Sequence, residues 1–268
     1  MYPELFQIGS LTVHSYGLMI GLAVLVSALL IYRKAPDEGI KADYVLEAVI
    51  VAAVAGIIGS RILYIILNWE YYSGRPLVAF ITQFEGLSFY GGLFGGAIAL
   101  YLWGRWREIG FLKLADLFAP YLALGYGFGR VGCFLNGCCY GSESTVPWAL
   151  PINMADDVLR HPVQLYALLG ALIIFGALKL LRPVRPFVGF LLVALFAFYG
   201  VLRFTTEFFR SGEAVLLGLT TAQVFSLTLV AASLLVMAVF YYTVPDEKKE
   251  RPKVRQYRTG SKNSKKRD

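Results

Sequence analysis

The fold is decided by the stretch Gly129-Arg130-Val131-Gly132-Cys133-Phe134-Leu135-Asn136-Gly137-Cys138-Cys139-Tyr140-Gly141. It begins inside an apolar run, 121–134, that suits a bilayer, and it places polar residues where that run must reach the surface. Ionisable groups at membrane depth are costly and by default mark a functional site. The glycines leave room for a close helix or a bound molecule. The stretch therefore predicts a membrane helix that ends in a site, with a snorkelling or ion-paired Arg130 as the simpler alternative.

The composition of the rest of the chain is that of a membrane protein. Of its 268 residues 57% are hydrophobic and 16% are charged, and the mean hydropathy is +0.60, whereas a soluble domain needs a more charged surface. The formal charge of +7 does not indicate nucleic-acid binding, because ten lysines and arginines lie in the tail 243–268. We interpret this tail as a disordered cytoplasmic segment attracted to anionic membrane lipids. No basic segment precedes the first apolar run, so we expect no cleaved signal peptide.

Apolar runs long enough to cross a bilayer, which takes about 20 residues, recur along the chain. The seven runs are 15–33, 45–67, 87–104, 116–136, 162–181, 187–209 and 219–242. With the tail included, nineteen basic residues fall on one side of these runs and three on the other. The positive-inside rule then places the N-terminus outside and the C-terminus in the cytoplasm. We therefore expect an all-α polytopic membrane domain over 1–242, with seven transmembrane helices and a small external cap at 137–160.

Several arginines lie in the outward halves of the predicted spans. Arg61, Arg130 and Arg203 are within spans, and Arg210 is near the outer end of the sixth. A guanidinium group matches phosphate oxygens with two parallel hydrogen bonds, so convergence of these side chains would bind an anionic phospholipid. Glu207 shares a helix face with Arg203 and Arg210, and an ion pair between them is the structural alternative.

Candidates for proton transfer lie at the same predicted depth. Tyr16, Tyr90, His14 and His161 all fall close to the outer ends of their spans. Histidine and tyrosine side chains serve as general acids and bases in enzymes. We expect the glycine pairs that follow Tyr90 to support close helix packing.

The cysteines leave alternatives open. Cys133, Cys138 and Cys139 would not share a face if they were on one helix, and a zinc site lacks an obvious fourth ligand. An arginine neighbour would lower the pKa of a thiol and favour a nucleophile. Small, buried, apolar cysteines are the leading interpretation, so we expect no metal.

These residues resemble a known family, the bacterial prolipoprotein diacylglyceryl transferases. The resemblance lies in Gly129-Arg130-Val131-Gly132 with Asn136, Gly137 and Gly141, and in His14-Ser15-Tyr16-Gly17, Gly59-Ser60-Arg61, Gly91-Gly92-Leu93, Asp116-Leu117-Phe118-Ala119-Pro120, His161-Pro162, Gln164-Leu165-Tyr166, Arg203 and Glu207-Phe208-Phe209-Arg210. The matching segments occur in order over most of the chain. The family implies seven spans, the number expected from the apolar runs, and the outside N-terminus expected from charge.

The resemblance implies a reaction and a location. The diacylglyceryl group of phosphatidylglycerol would pass to the lipobox cysteine thiol of a prolipoprotein, releasing glycerol phosphate, without a cofactor, in the bacterial cytoplasmic (inner) membrane. Arg130 and Arg210 would hold the phosphate. The full set of predicted site residues is Arg130, Arg210, Tyr90 and Tyr16 as catalytic groups, and Arg61, Arg130, His14, Asn136, Gly141, Gly91, Gly92 and Glu207 as substrate contacts.

Three positions depart from the family pattern. Tyr90 stands where the family often has histidine, Cys133 where it often has asparagine, and Cys138 where a glutamate is expected. The general base is therefore open between Tyr90, Tyr16 and no protein base. The alternative functions are a related membrane enzyme or a transporter that acts on another anionic phospholipid, and a cysteine-based metal or redox protein.

Overall fold

The computed structural model of the chain describes residues 2–9, 11–74, 86–151 and 158–243. These residues form seven helices of at least 18 residues, one for each apolar run of the sequence. The helices are α1 (Ser15–Lys34), α2 (Ala42–Leu67), α3 (Phe89–Trp106), α4 (Phe111–Leu135), α5 (Val163–Leu181), α6 (Phe190–Glu207) and α7 (Thr221–Thr243). A single helical turn, Trp69–Tyr72, follows α2, and short 3₁₀ turns, Ala35–Glu38 and Arg182–Val184, follow α1 and α5.

Five of these helices, α1, α2, α5, α6 and α7, are long and apolar enough to cross a membrane. The chain is therefore a helical, multi-pass membrane protein. Glycine, tyrosine and tryptophan lower the hydropathy of α3 and α4, and α4 also carries Lys113 and Asp116. Membrane crossing by these two helices stays a prediction. The predicted tail lies outside the described residues, except for Thr243 at the end of α7.

The central helix is α4, which has more buried residues than any other helix in the described part of the chain. Pro120 lies inside it and has no N–H to donate to the carbonyl of Asp116 one turn earlier. Arg182 supplies the missing donor, because its Nη2 lies 3.4 Å from the Asp116 carbonyl oxygen and 3.1 Å from that of Leu117. Pro120 is thus tolerated because Arg182, which lies just after the end of α5, donates to the backbone carbonyls near the missing N–H.

The carboxylate of Asp116 caps a different helix, α6. It accepts the backbone N–H groups of Gly189 at 2.7 Å, Leu191 at 2.9 Å and Leu192 at 3.1 Å. These groups have no partner inside a helix that begins at Phe190, and a negative charge at a helix N-terminus is favourable. α4 and α6 are therefore joined at the end of the bundle remote from the predicted site.

Glycines bring α2 and α3 into backbone contact. A Cβ added to Gly95 would lie 2.6 Å from the carbonyl oxygen of Ala55, and one added to Gly91 would overlap the carbonyl of Gly59. The predicted close packing of the glycine pairs is present, since such an approach is available only to residues without side chains.

Three short hairpins cover the end of the bundle where the site was predicted. They are β1 (Glu4–Ile8) with β2 (Leu11–His14), β3 (Leu150–Pro151) with β4 (Leu159–Arg160), and β5 (Ala214–Leu216) with β6 (Leu219–Thr220), all antiparallel. The first hairpin is tied to α4 through the Tyr2 N–H, 3.0 Å from the Leu135 carbonyl oxygen. Of the predicted cap, 152–157 lie outside the described residues.

Candidate active site

The stretch that carries the predicted site changes from helix to turn at its centre. Asn136 caps α4, and Gly137 takes a left-handed conformation with φ of 72°. The Gly137 N–H bonds to the Phe134 carbonyl at 3.2 Å, and the Cys138 N–H bonds to the Cys133 carbonyl at 3.1 Å. These two reversed hydrogen bonds form a Schellman termination, which favours glycine because it has no Cβ. The chain after the helix is thereby folded back onto the last helical turn.

Neighbouring elements hold this turn in place. The Ser142 N–H donates to the Phe209 carbonyl at 2.9 Å, just after α6. Gln164 in the first turn of α5 is 1% exposed, and its Nε2 donates to the Cys138 carbonyl at 2.6 Å. A Cβ on Gly141 would overlap the Phe209 carbonyl oxygen, so glycine is required at this position. The turn is rigidly placed between α5 and α6 before any ligand binds.

Arg130 lies on α4 just before the turn and is partly buried. Its guanidinium carbon is 4.6 Å from the centre of the Tyr126 ring, within the range of a cation–π contact. The Tyr126 ring in turn packs edge-on against Tyr199 of α6, with 5.4 Å between ring centres. Two aromatic rings therefore fix the charged side chain against the helix bundle.

The predicted helical stripe of Arg203, Glu207 and Arg210 is interrupted. α6 ends at Glu207, and the Arg210 N–H bonds to the Glu207 carbonyl at 3.0 Å in a turn beyond the helix. The extension of the sixth span to residue 209 was wrong, since the chain turns there to join the cap. Glu207, 7% exposed, nevertheless reaches both arginines, at 2.6 Å to Arg203 and 3.7 Å to Arg210.

A cavity of about 290 Å³ opens beside the turn. Its lining residues are Gly137, Cys139, Tyr140, Gly141, Arg160, Arg210 and Ser211. Arg160 pairs with Glu143 at 3.3 Å, whereas the Arg210 side chain remains partly exposed beside Glu207. Two arginines and no acidic side chain line the described wall of the cavity, so it suits an anion.

Arg130 and Arg210 both act on Cys139. The pKa of the Cys139 thiol is lowered to about 5, first by the hydrogen bond from Cys133 and further by the positive charges of Arg130 and Arg210. Burial raises the pKa of the neighbouring Cys138 thiol. An arginine from α4 and an arginine from the turn after α6 thus lie near one thiol at the edge of the cavity.

The cysteines differ from what the sequence predicted. Only Cys133 is buried, Cys138 is half-buried and Cys139 is exposed. The three Sγ atoms lie within 4.8 Å of one another, because the Schellman turn brings the two later cysteines back to the helix end. The expectation of small, buried, apolar cysteines is confirmed for Cys133 and wrong for Cys139. This group of thiols is a candidate ligand set for a metal ion.

The predicted proton-transfer residues lie in different surroundings. Tyr16, in the first turn of α1, packs against Gly132 of α4, where an added Cβ would be 3.0 Å from its ring. Tyr90 is 61% exposed at the start of α3, with its ring 5.7 Å from that of Phe89. His14 is exposed at the cap of α1. Tyr16 is therefore in contact with the helix of Arg130. His161 lies beside the turn, where its carbonyl accepts the Gly141 N–H at 2.9 Å and its Nδ1 is 3.1 Å from the Tyr166 hydroxyl oxygen.

Arg61, Gly91 and Gly92 lie between α2 and α3. Arg61 is 4% exposed and donates from Nη1 to the Gly86 carbonyl at 2.9 Å. Its guanidinium carbon also lies 5.5 Å from the centre of the Tyr64 ring. These contacts give Arg61 a part in holding the segment before α3, and the two glycines lie against the backbone of α2.

Gln164, Tyr126 and Tyr199 lie at the candidate site but were given no role there from the sequence. A glutamine in the first turn of an apolar helix, in a segment that matches the family, was the available signal for Gln164, since an amide there needs a partner. Tyr199 was noted only as part of the polar stripe of the sixth span, and Tyr126 gave no signal, because aromatic residues are common throughout these helices.

Comparison with known proteins gives consistent matches over most of the chain. The family model described as prolipoprotein diacylglyceryl transferase matches residues 3–239. Similar relatives, each named phosphatidylglycerol–prolipoprotein diacylglyceryl transferase, come from Geobacter sulfurreducens (38% identical over 219 residues, 80% of this chain and 84% of the relative), Dehalococcoides mccartyi (36% over 236 residues, 85% and 90%) and Clostridioides difficile (33% over 222 residues, 83% and 88%).

Proposed function

The chain belongs to the prolipoprotein diacylglyceryl transferase family, and from this premise we propose how its residues carry out the reaction. The protein transfers the diacylglyceryl group of phosphatidylglycerol to a prolipoprotein. The acceptor is a lipobox cysteine, whose thiolate attacks the glyceryl carbon that bears the phosphate ester. The carbon–oxygen bond breaks with its electron pair on the phosphate oxygen, so glycerol phosphate leaves and a thioether remains.

Arg130 and Arg210 bind the phosphate of the lipid. Negative charge builds up on this group as it departs, and preorganised guanidinium groups stabilise it more in the transition state than in the ground state. The proposal depends on one observation above all: Arg210 lines one cavity together with Cys139, and Arg130 lies on the part of α4 that leads into the turn forming the wall of that cavity.

Glu207 is a positioning residue in this proposal. Its carboxylate reaches Arg203 at 2.6 Å and Arg210 at 3.7 Å while it is itself buried. It therefore orients Arg210 towards the cavity and compensates part of its charge in the absence of lipid. Asn136 and Gly141 contribute by shaping the turn that forms the cavity wall.

Tyr16 is better placed than Tyr90 to act near the lipid phosphate. It contacts Gly132, two residues after Arg130, whereas Tyr90 is largely exposed beside Phe89. We assign Tyr16 to positioning or proton transfer at the phosphate, with the exposed His14 next to it. Arg61, Gly91 and Gly92, which pack α2 against α3, are assigned an indirect role in substrate binding through that packing.

All seven long helices cross the bacterial inner membrane in this proposal, with the N-terminus outside. α3 packs against α2 through glycine backbone and exposes Phe94, Ile98 and Leu102 on its other face, whereas α4 is enclosed by its neighbours. Both helices can therefore cross the membrane despite their lower mean hydropathy. The cavity then opens on the external side, where the outer leaflet supplies phosphatidylglycerol and the exported peptide arrives.

The test is an assay of the purified protein with phosphatidylglycerol and a lipobox peptide. Thioether product should form, and Arg130→Ala or Arg210→Ala should lower kcat by about 10²–10³-fold, the usual effect of losing one oxyanion donor. Arg107→Ala is the matched control, because Arg107 pairs with Glu47 at 2.6 Å at the other end of the bundle. Folded protein that yields no product, or an Arg210→Ala variant as active as the control, contradicts the proposal.

A further inference from the structure

Three thiols that the proposed reaction does not use lie together beside the cavity. The Sγ atoms of Cys133, Cys138 and Cys139 are within 4.8 Å of one another. Zinc–sulfur bonds of about 2.3 Å in a tetrahedral site would place the sulfurs about 3.8 Å apart. Rotation of the side chains that shortens the sulfur–sulfur distances by about 1 Å is therefore enough for all three sulfurs to contact one ion.

The backbone holds these thiols together independently of any ion. The Cys138 N–H bonds to the Cys133 carbonyl at 3.1 Å, and Gln164 donates to the Cys138 carbonyl at 2.6 Å. Cys139 itself has a φ of 65°, a left-handed conformation that is unfavourable for a residue with a side chain. The surrounding turn thus maintains a strained backbone that directs the third thiol to the other two.

The charges around the thiols favour a divalent ion. A divalent ion bound by three thiolates keeps one net negative charge, which would be costly beside an apolar helix end. Arg130 and Arg210 lie near Cys139 and compensate this charge. The three ligands are all sulfur, which selects soft and borderline ions such as zinc over magnesium or calcium.

We propose that Cys133, Cys138 and Cys139 bind a thiophilic divalent ion, of which zinc is the representative, and leave its fourth position open towards the cavity. Cys139 lines that cavity of about 290 Å³. Three protein ligands with one open position are the pattern of reactive zinc sites, whereas structural sites have four protein ligands.

The open position takes a thiol, and this step rests on the proposed function. The lipobox thiol loses its proton to solvent and binds the ion as a thiolate. Its sulfur lone pair then forms the bond to the glyceryl carbon, and the electron pair of the broken carbon–oxygen bond leaves with the phosphate next to Arg210. The ion keeps its charge throughout, so no oxidant or reductant is needed.

The first experiment measures the number of metal ions bound per chain by the full-length protein, purified in detergent under reducing conditions. After incubation with zinc and removal of the excess, we expect about one ion per chain, and cobalt should give the sulfur-to-cobalt charge-transfer absorption of a thiolate site. Cys133→Ser and Cys139→Ser should weaken binding by more than the roughly 10–100-fold that loss of an outer-shell partner costs. Tyr140→Phe, which keeps all three thiols, is the matched control and should retain the ion.

Two results overturn the metal site. One is zinc content well below one per chain in folded protein whose thiols are all free. The other is a disulfide between two of the cysteines in protein isolated from the membrane without reductant, since an oxidising external compartment favours it.

The second experiment separates the metal from the proposed function. Chelated protein should lose about 10–30-fold in rate at neutral pH, because an unperturbed thiol is then only a few per cent thiolate, and zinc should restore the rate. Full activity of the metal-free protein, with Arg210→Ala inactive, would refute the activating ion and leave the transferase assignment intact. An inactive protein that holds one zinc per chain would refute the transferase assignment and leave the metal site intact.

Discussion

The positions of the Arg203 and Arg210 side chains depend on Glu207. It is buried, and it contacts Arg203 at 2.6 Å and Arg210 at 3.7 Å. A carboxylate shared by two arginines holds both side chains in place while leaving part of each guanidinium group for another anion. At the residue scale the site is therefore a set of cations positioned by one buried acid and by aromatic rings.

Replacement of Glu207 tests this arrangement. Glu207→Gln should lower the free energy of unfolding by roughly 1–3 kcal/mol, because two partly buried arginines lose their counter-charge. It should also reduce kcat/KM, since Arg210 is no longer oriented. The matched control is Glu47→Gln, whose carboxylate is 39% exposed and pairs with Arg107, and which should change stability by less than about 1 kcal/mol. Thermal unfolding in detergent and the transferase assay report the two effects, and equal effects of both variants would contradict the assignment.

The acidity of Cys139 gives a second prediction at this scale. Its thiol pKa is lowered to about 5, so in metal-free protein the thiolate predominates above that pH and is lost as the pH falls through it. The alkylation rate of Cys139 should therefore vary little between roughly pH 6 and 8, whereas an ordinary thiol would react about tenfold slower for each unit below its pKa.

Arg210→Met should raise this pKa, because one of the positive charges that lowers it is removed. The alkylation rate can be followed by mass spectrometry of the peptide that carries both Cys138 and Cys139. The two thiols differ in acidity, because burial raises the pKa of Cys138. An alkylation rate that rises steadily from pH 6 to 8 in the unmodified sequence would contradict the lowered pKa of Cys139, and an unchanged profile in Arg210→Met would contradict the contribution of that arginine.

Two of the contacts that join helices in the described part of the protein involve backbone groups. α2 and α3 meet through glycine backbone, whereas α4 and α6 are linked by the Asp116 carboxylate, which takes three backbone N–H groups of α6. The C-terminal ends of α4 and α6 are linked separately, by the hydrogen bond from the Ser142 N–H to the Phe209 carbonyl at 2.9 Å.

Replacing a glycine by alanine, which adds one methyl group, tests the contact between α2 and α3. Gly95→Ala should destabilise the protein by about 1–3 kcal/mol, because the added Cβ would lie 2.6 Å from the Ala55 carbonyl oxygen and the helices must separate. Gly176→Ala in α5 is the control, since nothing lies within 4 Å of its added Cβ. It should be neutral or stabilising by up to about 1 kcal/mol. Unfolding midpoints of the two variants decide the prediction, which fails if Gly95→Ala is as stable as the control.

The whole molecule has a strongly asymmetric distribution of basic residues. Nineteen lie in the connections and tail assigned to the cytoplasm, against three on the opposite side. At the end predicted to face the cytoplasm Arg182 and Arg185 also bind Glu38, at 3.4 and 2.6 Å, so not all of this charge is free to face lipid. The predicted orientation does not change, because the rule counts lysines and arginines rather than net charge.

Reporter fusions test the orientation of the whole chain. A reporter active only outside the cytoplasm should work when inserted near Thr145, in the cap, and fail when inserted at Gly110, between α3 and α4. A reporter that requires the cytoplasm should give the reverse pattern. Activity of the external reporter at Gly110 would mean that α3 or α4 does not cross the membrane as proposed.

Helix positions were predictable from the sequence to within a few residues, since hydropathy and length are local properties. The fourth helix begins at Phe111 rather than 116, because its first turn is stabilised by packing that a hydropathy window does not include. The joint role of Arg130 and Arg210 at a lipid phosphate was predictable only by resemblance and stays a prediction. The position of Arg210 depends on where α6 ends, and sequence periodicity carried the helix past Glu207.

The sequence by itself determined the class of protein, the seven helical segments and the residue types available for phosphate chemistry, because a long apolar run must form a helix in lipid whatever surrounds it. Tertiary structure alone decided that three cysteines share one place, that Gln164 holds their turn and that Arg182 completes the hydrogen bonding around Pro120. The contacts of Gln164 and Arg182 join segments far apart along the chain, and their distances follow from how the helices pack. The cysteine cluster depends on the way the chain turns back after α4, which the helical pattern of residues does not reveal.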